Sequence, residues 1–239
     1  MRHTWSTIAQ LLTSCGRGLL PPSCLLCGGA GAADGLDLCE PCLQLLPRAG
    51  PFALPSFATV VCPWLYAYPI DHCIQALKFH GERAWARVFG RLLAQERRRV
   101  GAVSAGAVAW PDVVVPVPLH LRRLRERGYN QSADLARFAA RALALPFDVH
   151  ALERCRATGV QSSLPAVARA ANVAGAFRAV RPLRGRRVAL VDDVLTTGST
   201  AGAAAAALAM AGAGGVELWA VARSAGLRSP FSAARRIRG

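Results

Sequence analysis

The segment Val188–Thr200, with the sequence VALVDDVLTTGST, constrains the fold of this 239-residue chain more than any other. It continues an apolar run over Arg187–Val191, which is typical of a strand buried on both faces of a parallel sheet. A hydroxyl-rich turn follows, and an alanine-rich stretch then predicts a helix over Ala201–Ala211. We therefore expect a strand, a loop and a helix start, with the loop at the carboxyl edge of the sheet, where α/β proteins bind ligands.

The rest of the chain predicts the other parts of such a sheet. Strands alternate with helices, which indicates an α/β fold with a mostly parallel sheet. The expected elements are a short strand at Tyr66–Tyr68, helices over Ile70–Phe79 and Trp85–Arg99, a buried strand VVVPVP after Asp112, a helix over Gln131–Leu145, a short strand at Phe147–His150, the buried strand over Arg187–Val191 and a last strand over Val216–Val221.

Two groups in the first segment predict a sugar-phosphate site. Asp192 and Asp193 can accept hydrogen bonds from two vicinal hydroxyls of a sugar. Helix-terminal amides, hydroxyls and a glycine favour a phosphate monoester; these groups come from Thr196, Thr197, Gly198, Ser199 and Thr200. Together they describe a ribose 5-phosphate. Two alternatives remain. The hydroxyl-rich turn could be an ordinary helix N-cap. The aspartates could be the pair of a phosphorylated receiver domain, although in receiver domains the pair lies in the first strand and here it lies in a late one.

Four cysteines near the start are spaced C-x2-C-x11-C-x2-C; they are Cys24, Cys27, Cys39 and Cys42. Two such pairs offer a tetrahedral set of soft sulfur ligands, which favours structural zinc. The alternative is a pair of redox dithiols, but neither pair opens a helix after a strand as redox motifs do. We expect residues 1–46 to form an N-terminal helix and zinc-finger module, the proline-rich residues 47–65 a linker or edge-hugging segment, and residues 66–239 the α/β domain.

The charge balance favours polyanionic partners. The chain has 29 Lys and Arg against 14 Asp and Glu, a net charge of +15, and Lys78 is its only lysine. After the first buried strand an arginine-rich loop is expected to contact pyrophosphate or DNA; the residues are Arg122, Arg123, Arg125, Arg127 and Gly128. A solvated charged loop is the alternative. The polar stretch Arg154–Gly175 predicts a mobile loop or an exposed helix, with candidate substrate contacts at Thr158, Gln161, Arg169 and Asn172.

No apolar run in the sequence has the roughly 18 residues or more that a membrane span needs. The N-terminal stretch before Cys15 is too polar for a signal peptide, and we interpret it as a short amphipathic helix. A cytoplasmic location is expected, in which cysteines are thiols or metal ligands rather than disulfides.

The order of five motifs resembles that of the ComF family. They are the cysteine finger, VPVPLH, RRLRERGYNQS, the R-x-R-x-T-x-x-Q loop and VDDVLTTGST, which span about Leu20 to Ala222. The resemblance implies a type I phosphoribosyltransferase-like α/β domain behind a zinc finger. It also implies binding of phosphoribosyl pyrophosphate (PRPP) with Mg²⁺, with Asp192 and Asp193 at the ribose and Thr196 to Thr200 at the 5-phosphate. In competent bacteria the family is associated with natural transformation and helps imported single-stranded DNA reach the cytoplasm.

Three functions are compatible with these observations. The first is a PRPP-binding protein that handles single-stranded DNA together with DNA-uptake proteins. The second is an active phosphoribosyltransferase that moves ribose 5-phosphate from PRPP to an unknown acceptor, in which positioning and stabilisation of the leaving pyrophosphate would supply the catalysis. The third is a regulatory protein for which PRPP is a signal that changes the affinity for a partner.

Overall fold

The computed structural model describes residues 23–31, 35–103, 108–156 and 175–227. The chain divides into two compact units, Met1–Leu46 and Pro47–Gly239, which are described separately. Several expectations lie outside the described residues; they are the N-terminal amphipathic helix and the candidate contacts Thr158, Gln161, Arg169 and Asn172.

The first unit is a small cysteine-bearing module. Ser23 and Ala30 form an antiparallel bridge across the first cysteine pair, and Gly28 closes that turn with a φ of 74°. Helix α1, Glu40–Gln44, starts at Cys39 and carries the second pair. The turn of the first pair needs a positive φ at position 28, which only glycine adopts at little cost.

The second unit contains a five-stranded parallel sheet. Its strands are β1 Thr59–Val61, β2 Trp64–Leu65, β3 Val113–Pro116, β6 Arg187–Leu195 and β7 Gly215–Arg223. The strand order is β1-β7-β6-β3, and β2 also pairs with β7. Two further strands, β4 Leu152–Arg154 and β5 Phe177–Ala179, form a separate antiparallel pair. The mostly parallel α/β fold expected from the sequence is confirmed.

The described part of this unit contains five helices: α2 Ile70–Phe79, α3 Ala84–Val103, α4 Leu121–Arg127, α5 Gln131–Leu143 and α6 Ser199–Met210. Helices α3 and α5 pack together at Gly90, where an added Cβ would lie 2.6 Å from the Cβ of Phe138. Helix α5 also packs on β3 and β6, whereas α6 packs against β4, β5, β6 and β7. The parallel sheet is therefore covered by helices on both of its faces.

Three local predictions are corrected by the structure. Residues 47–65 supply β1 and β2 at the edge of the sheet, because β7 is long enough to pair with both of these strands and with β6. No strand forms at Tyr66–Tyr68 as expected; the observed strand, β2, ends just before Tyr66. Phe147 makes only one bridge, to Val114, and a strand forms at Leu152–Arg154 instead of Phe147–His150.

The expected arginine-rich loop is mostly helix α4. The imidazole Nδ1 of His120 accepts a hydrogen bond from the backbone N–H of Arg122, which caps its start. Gly128 ends it in the left-handed conformation with a φ of 80°. Arg122 and Glu126 pair along the helix at 2.9 Å, a spacing that supports helical structure.

Candidate functional site

The candidate phosphate loop, Thr196–Thr200, lies between the end of β6 and the first turn of α6. Gly198 is the N-cap of α6, has a φ of 75° and makes no side-chain capping bond. The hydroxyls of Thr197 and Ser199 are 2.9 Å apart, and the carbonyl of Thr196 accepts a hydrogen bond from Ser224 Oγ. Hydroxyls are thus fixed beside the amide end of a 12-residue helix, where the helix dipole favours an anion.

Strand β6 carries the two aspartates two and three residues before it ends, rather than ending before them as the sequence predicted. Successive side chains of a strand point to opposite faces of the sheet, so Asp192 and Asp193 have different surroundings. The strand continues because β7 keeps pairing with it as far as Leu195 and Arg223. The two carboxylates are therefore not equivalent.

Asp192 keeps one carboxylate oxygen fixed. Its Oδ1 accepts hydrogen bonds from Ser132 Oγ at 3.1 Å and from the backbone N–H of Asp193 at 2.9 Å. Burial, followed by the charge of Asp193, raises the pKa of Asp192 to about 7. Because burial removes water from this carboxylate, it is suited to accept hydrogen bonds from a ligand instead.

Asp193 has both carboxylate oxygens engaged by other residues. Its side chain is buried, with Oδ1 3.0 Å from the ammonium of Lys78 and Oδ2 accepting a hydrogen bond from Gln131 Nε2 at 2.6 Å. Gln131 in turn accepts a hydrogen bond from Arg127 through its own carbonyl oxygen. This links α2, α4, α5 and β6 in one polar network.

Helix α4 separates its four arginines into two pairs. Arg123 and Arg127 are half-buried and line a cavity of about 740 Å³ together with Lys78. Arg122 and Arg125 are exposed and are not among the residues that line it. Of the predicted pyrophosphate or DNA contacts, Arg123 and Arg127 therefore line the same cavity as Lys78, which pairs with Asp193; Gly128 ends the helix that carries them.

Sequence reasoning missed three residues of this site. Lys78, Gln131 and Arg154 received no role, although Arg154 opens the R-x-R-x-T-x-x-Q motif and Lys78 is the only lysine. Burial lowers the pKa of Arg154, the charge of Arg123 lowers it further, and Asp192 opposes both effects. Arg154 therefore lies within electrostatic range of one aspartate and one arginine of the site. The signals that could have found them were motif membership, for Gln131 and Arg154, and lysine scarcity, for Lys78.

The cysteine cluster has the dimensions of a tetrahedral metal site. The four Sγ atoms of Cys24, Cys27, Cys39 and Cys42 lie within 4.8 Å of one another, and those of Cys27 and Cys39 are 3.7 Å apart. Zinc–sulfur bonds of about 2.3 Å in a tetrahedron imply sulfur separations of about 3.8 Å. Although burial opposes it, backbone hydrogen bonds lower the pKa of Cys24 to about 6, whereas burial raises the pKa of Cys42. The cluster can hold zinc with four sulfur ligands.

No family model matches the chain. It is, however, 34% identical over 229 residues to the DNA utilization protein YhgH of Salmonella typhimurium, an alignment that covers 86% of this chain and 98% of that protein. It is also 34% identical over 173 residues to competence protein F of Haemophilus influenzae, with 71% and 75% of the two chains covered. This chain belongs to the ComF family.

Among solved structures, the ComF-family chain is similar to the glutamine PRPP amidotransferase of B. subtilis, crystallised with ADP and GMP. The identity is 27% and the TM-score 0.38, with 56% of this chain and 25% of the amidotransferase covered. Within the described residues, none of the helices of this ComF-family chain combines the length and apolar character of a bilayer span.

Proposed function

We propose that the α/β unit of this ComF-family protein binds PRPP, or a related phosphoribosyl compound, at the carboxyl end of β6. The observation that carries the proposal is the position of Asp192, which is held by Ser132 on the strand that leads into the start of α6. A carboxylate on a strand that leads into a helix N-terminus complements a sugar diol joined to a phosphate.

Each group of the ligand then has its own protein contacts. The amides and hydroxyls of Thr196–Thr200 bind the 5-phosphate, and Asp192 accepts hydrogen bonds from the ribose hydroxyls. Arg123 and Arg127 bind the pyrophosphate, because a guanidinium donates paired hydrogen bonds to phosphate oxygens. Asp193 supports this arrangement through its contacts with Lys78 and Gln131.

Two metal ions have different tasks in this proposal. Mg²⁺ enters with PRPP, because it binds phosphate oxygens and retains several waters, and it neutralises pyrophosphate charge. Zinc holds the first unit through Cys24, Cys27, Cys39 and Cys42. A module of this size has too small a core to be stable alone, so metal binding contributes to its folding.

We further propose that the protein acts in the cytoplasm during the handling of imported single-stranded DNA, with proteins of the DNA-uptake machinery as partners. The names of its relatives, DNA utilization protein and competence protein, support this setting. The exposed Arg122 and Arg125 are available for contact with backbone phosphates, which would make DNA binding dependent on salt.

An active phosphoribosyltransferase is the second candidate function. The cavity of about 740 Å³ that Lys78, the partner of Asp193, helps to line favours it, because an acceptor molecule has room there. Release of pyrophosphate from PRPP in the presence of Mg²⁺ and candidate acceptors measures this activity. A rate no higher than that of the Asp192→Asn variant would leave the protein as a binding protein.

Calorimetric titration of PRPP tests the proposed binding site. We expect the wild type to bind PRPP more tightly with Mg²⁺ than without it, and Asp192→Asn to lose about tenfold or more in affinity, since a hydrogen bond to a charged group contributes about 1.5–3 kcal/mol. Asn retains the acceptor for Ser132, so the fold is preserved. Equal affinity of the variant and the wild type would contradict the site assignment.

A further inference from the structure

Lys78 is an exception in the composition of this chain. Of the 29 basic residues only this one is a lysine, so arginine occupies every other basic position. A genomic preference for arginine codons explains why arginine occupies the other basic positions, but it does not explain why position 78 is a lysine. The exception lies in the last turn of α2, next to the candidate site.

The ammonium group of Lys78 is held in a defined place. Its Nζ is 3.0 Å from Oδ1 of Asp193, and the side chain is only 18% exposed. Gln131 donates a hydrogen bond to the other oxygen of the same carboxylate, which restricts rotation of the Asp193 side chain. The ion pair thus positions Lys78 at the boundary between the aspartates and the cavity that it lines.

The cavity has an excess of positive charge. Its lining includes Lys78, Arg123 and Arg127, and Glu126, the one acidic residue among the described residues that line it, pairs with Arg122. Burial lowers the pKa of Arg127, whose side-chain hydrogen bond goes to the neutral amide of Gln131. Partly desolvated cations gathered in this way favour an anion in the cavity, because it would offset their desolvation and mutual repulsion.

Lysine suits this position better than arginine does. An ammonium is compact and has three donors, so one can point to Asp193 while the other two remain for a ligand. The planar guanidinium of arginine would tend to engage both oxygens of the carboxylate, and Gln131 already occupies one of them.

We propose that Lys78 is a ligand-binding residue, whose ammonium group, positioned by Asp193, binds the pyrophosphate moiety of the compound in the cavity. This inference rests on the proposed binding of PRPP. The inference gives the two aspartates different roles. Asp192 contacts the ribose, whereas Asp193 is a positioning residue that acts through Lys78.

The test compares three ligands on Lys78→Met and on the control Arg141→Met, which removes an exposed cation from the last turn of α5. The ligands are PRPP, inorganic pyrophosphate and ribose 5-phosphate, each titrated with Mg²⁺. Lys78→Met should bind PRPP and pyrophosphate about 10- to 100-fold more weakly, as expected for a lost hydrogen bond to a charged group, and ribose 5-phosphate with nearly unchanged affinity. Arg141→Met should resemble the wild type with all three.

Two outcomes would overturn the inference. Equal losses for all three ligands would mean that Lys78 only supports the fold of the site, and no loss for any of them would mean that it makes no contact. Failure of the proposed function looks different, because the wild type itself would then not bind PRPP.

A measurement on the wild-type protein avoids any folding defect of the variant. Reductive methylation with ¹³C-formaldehyde labels only Lys78 and the N-terminus, because the chain has no other lysine. Since methylation itself replaces N–H donors of the ammonium, the measured quantity is the rate of labelling: Lys78, identified by the absence of its signal in Lys78→Met, should be labelled more slowly when PRPP or pyrophosphate covers it. An unchanged labelling rate of Lys78, at PRPP concentrations at which calorimetry detects binding, would overturn the inference.

Discussion

The cysteine cluster and the proposed phosphoribosyl site are built in opposite ways. All four sulfur atoms come from one short segment, Cys24–Cys42, and one tight turn and the start of α1 bring them within 4.8 Å of one another. The second site collects Lys78 from α2, Gln131 from α5 and Asp193 from β6, which are far apart in the sequence. The first site can be recognised from spacing alone, whereas the second exists only after the sheet and its helices have packed.

The two regions also differ in what stabilises them. The α/β unit has a large buried core, in which even a charged pair, Arg97 and Glu217, is fully enclosed. The described part of the first unit buries few apolar side chains, among them Leu36, Leu38 and Leu46. We expect metal binding to decide the stability of the first unit and side-chain packing that of the second.

Loss of the metal should have the largest effect. The chain is expected to purify with one zinc ion, and Cys39→Ser should lose it together with the amide protection of residues 23–46, because zinc contributes about 10–16 kcal/mol to the folding of such modules. Elemental analysis and hydrogen exchange measure the two effects. The matched control is Cys155→Ser, an exposed cysteine outside the cluster. A Cys39→Ser protein with a full zinc content would break the comparison.

The buried ion pair should have the next largest effect. Arg97 donates hydrogen bonds to both carboxylate oxygens of Glu217, from Nε at 2.8 Å and from Nη2 at 2.9 Å, and Trp219 Nε1 donates to the same carboxylate. Glu217→Gln leaves Arg97 buried without a counter-charge and should lower the free energy of unfolding by about 3–5 kcal/mol.

Urea denaturation measures this change in the free energy of unfolding. The control is Glu153→Gln, which breaks an exposed ion pair with Arg178 and should shift the midpoint little. Similar midpoint shifts for the two variants would mean that burial does not decide the stability of this unit.

The smallest expected effect is the change of PRPP affinity with pH. Since the pKa of Asp192 is about 7, the carboxylate is protonated below that pH and ionised above it. In the proposed site, ionised Asp192 would accept hydrogen bonds from both ribose hydroxyls, so affinity should rise about tenfold as the pH rises through 7. The raised pKa has the opposite effect on the unliganded protein, whose folded state loses stability as the pH rises from about 4 to 7.

Asp192→Asn is the control for this titration, because PRPP has phosphate groups that change charge in the same pH range. Any dependence that remains in the variant belongs to the ligand. If wild type and variant show the same pH profile, Asp192 does not titrate in the binding site.

The sequence predicted most of the regular structure because the buried runs and helical spacings are strong signals. Helix α2 was predicted with its observed bounds, and the strands at Val113 and Val216 were predicted within a few residues. Residues 47–65 were not predicted as strands, because β1 and β2 are very short and the segment is rich in proline. Their strand structure depends on pairing with β7, which local sequence does not encode.

The site itself could be predicted only in part. The turn around Gly198 was recognisable because hydroxyls, glycine and helix start are adjacent in the sequence. The separation of Arg123 and Arg127 from Arg122 and Arg125 was not, since it depends on α4 being a helix. The ion pair of Lys78 with Asp193 required the tertiary structure, because nothing near either residue indicates the other.

Hydrogen exchange with and without PRPP tests the central claim most directly, because it reports which amides the ligand covers. With Mg²⁺ and saturating PRPP, we predict slower exchange for the amides of Gly198, Ser199 and Thr200, and little change in the middle of α3. Unchanged exchange in the Thr196–Thr200 loop, while PRPP binds elsewhere or does not bind, would contradict the account.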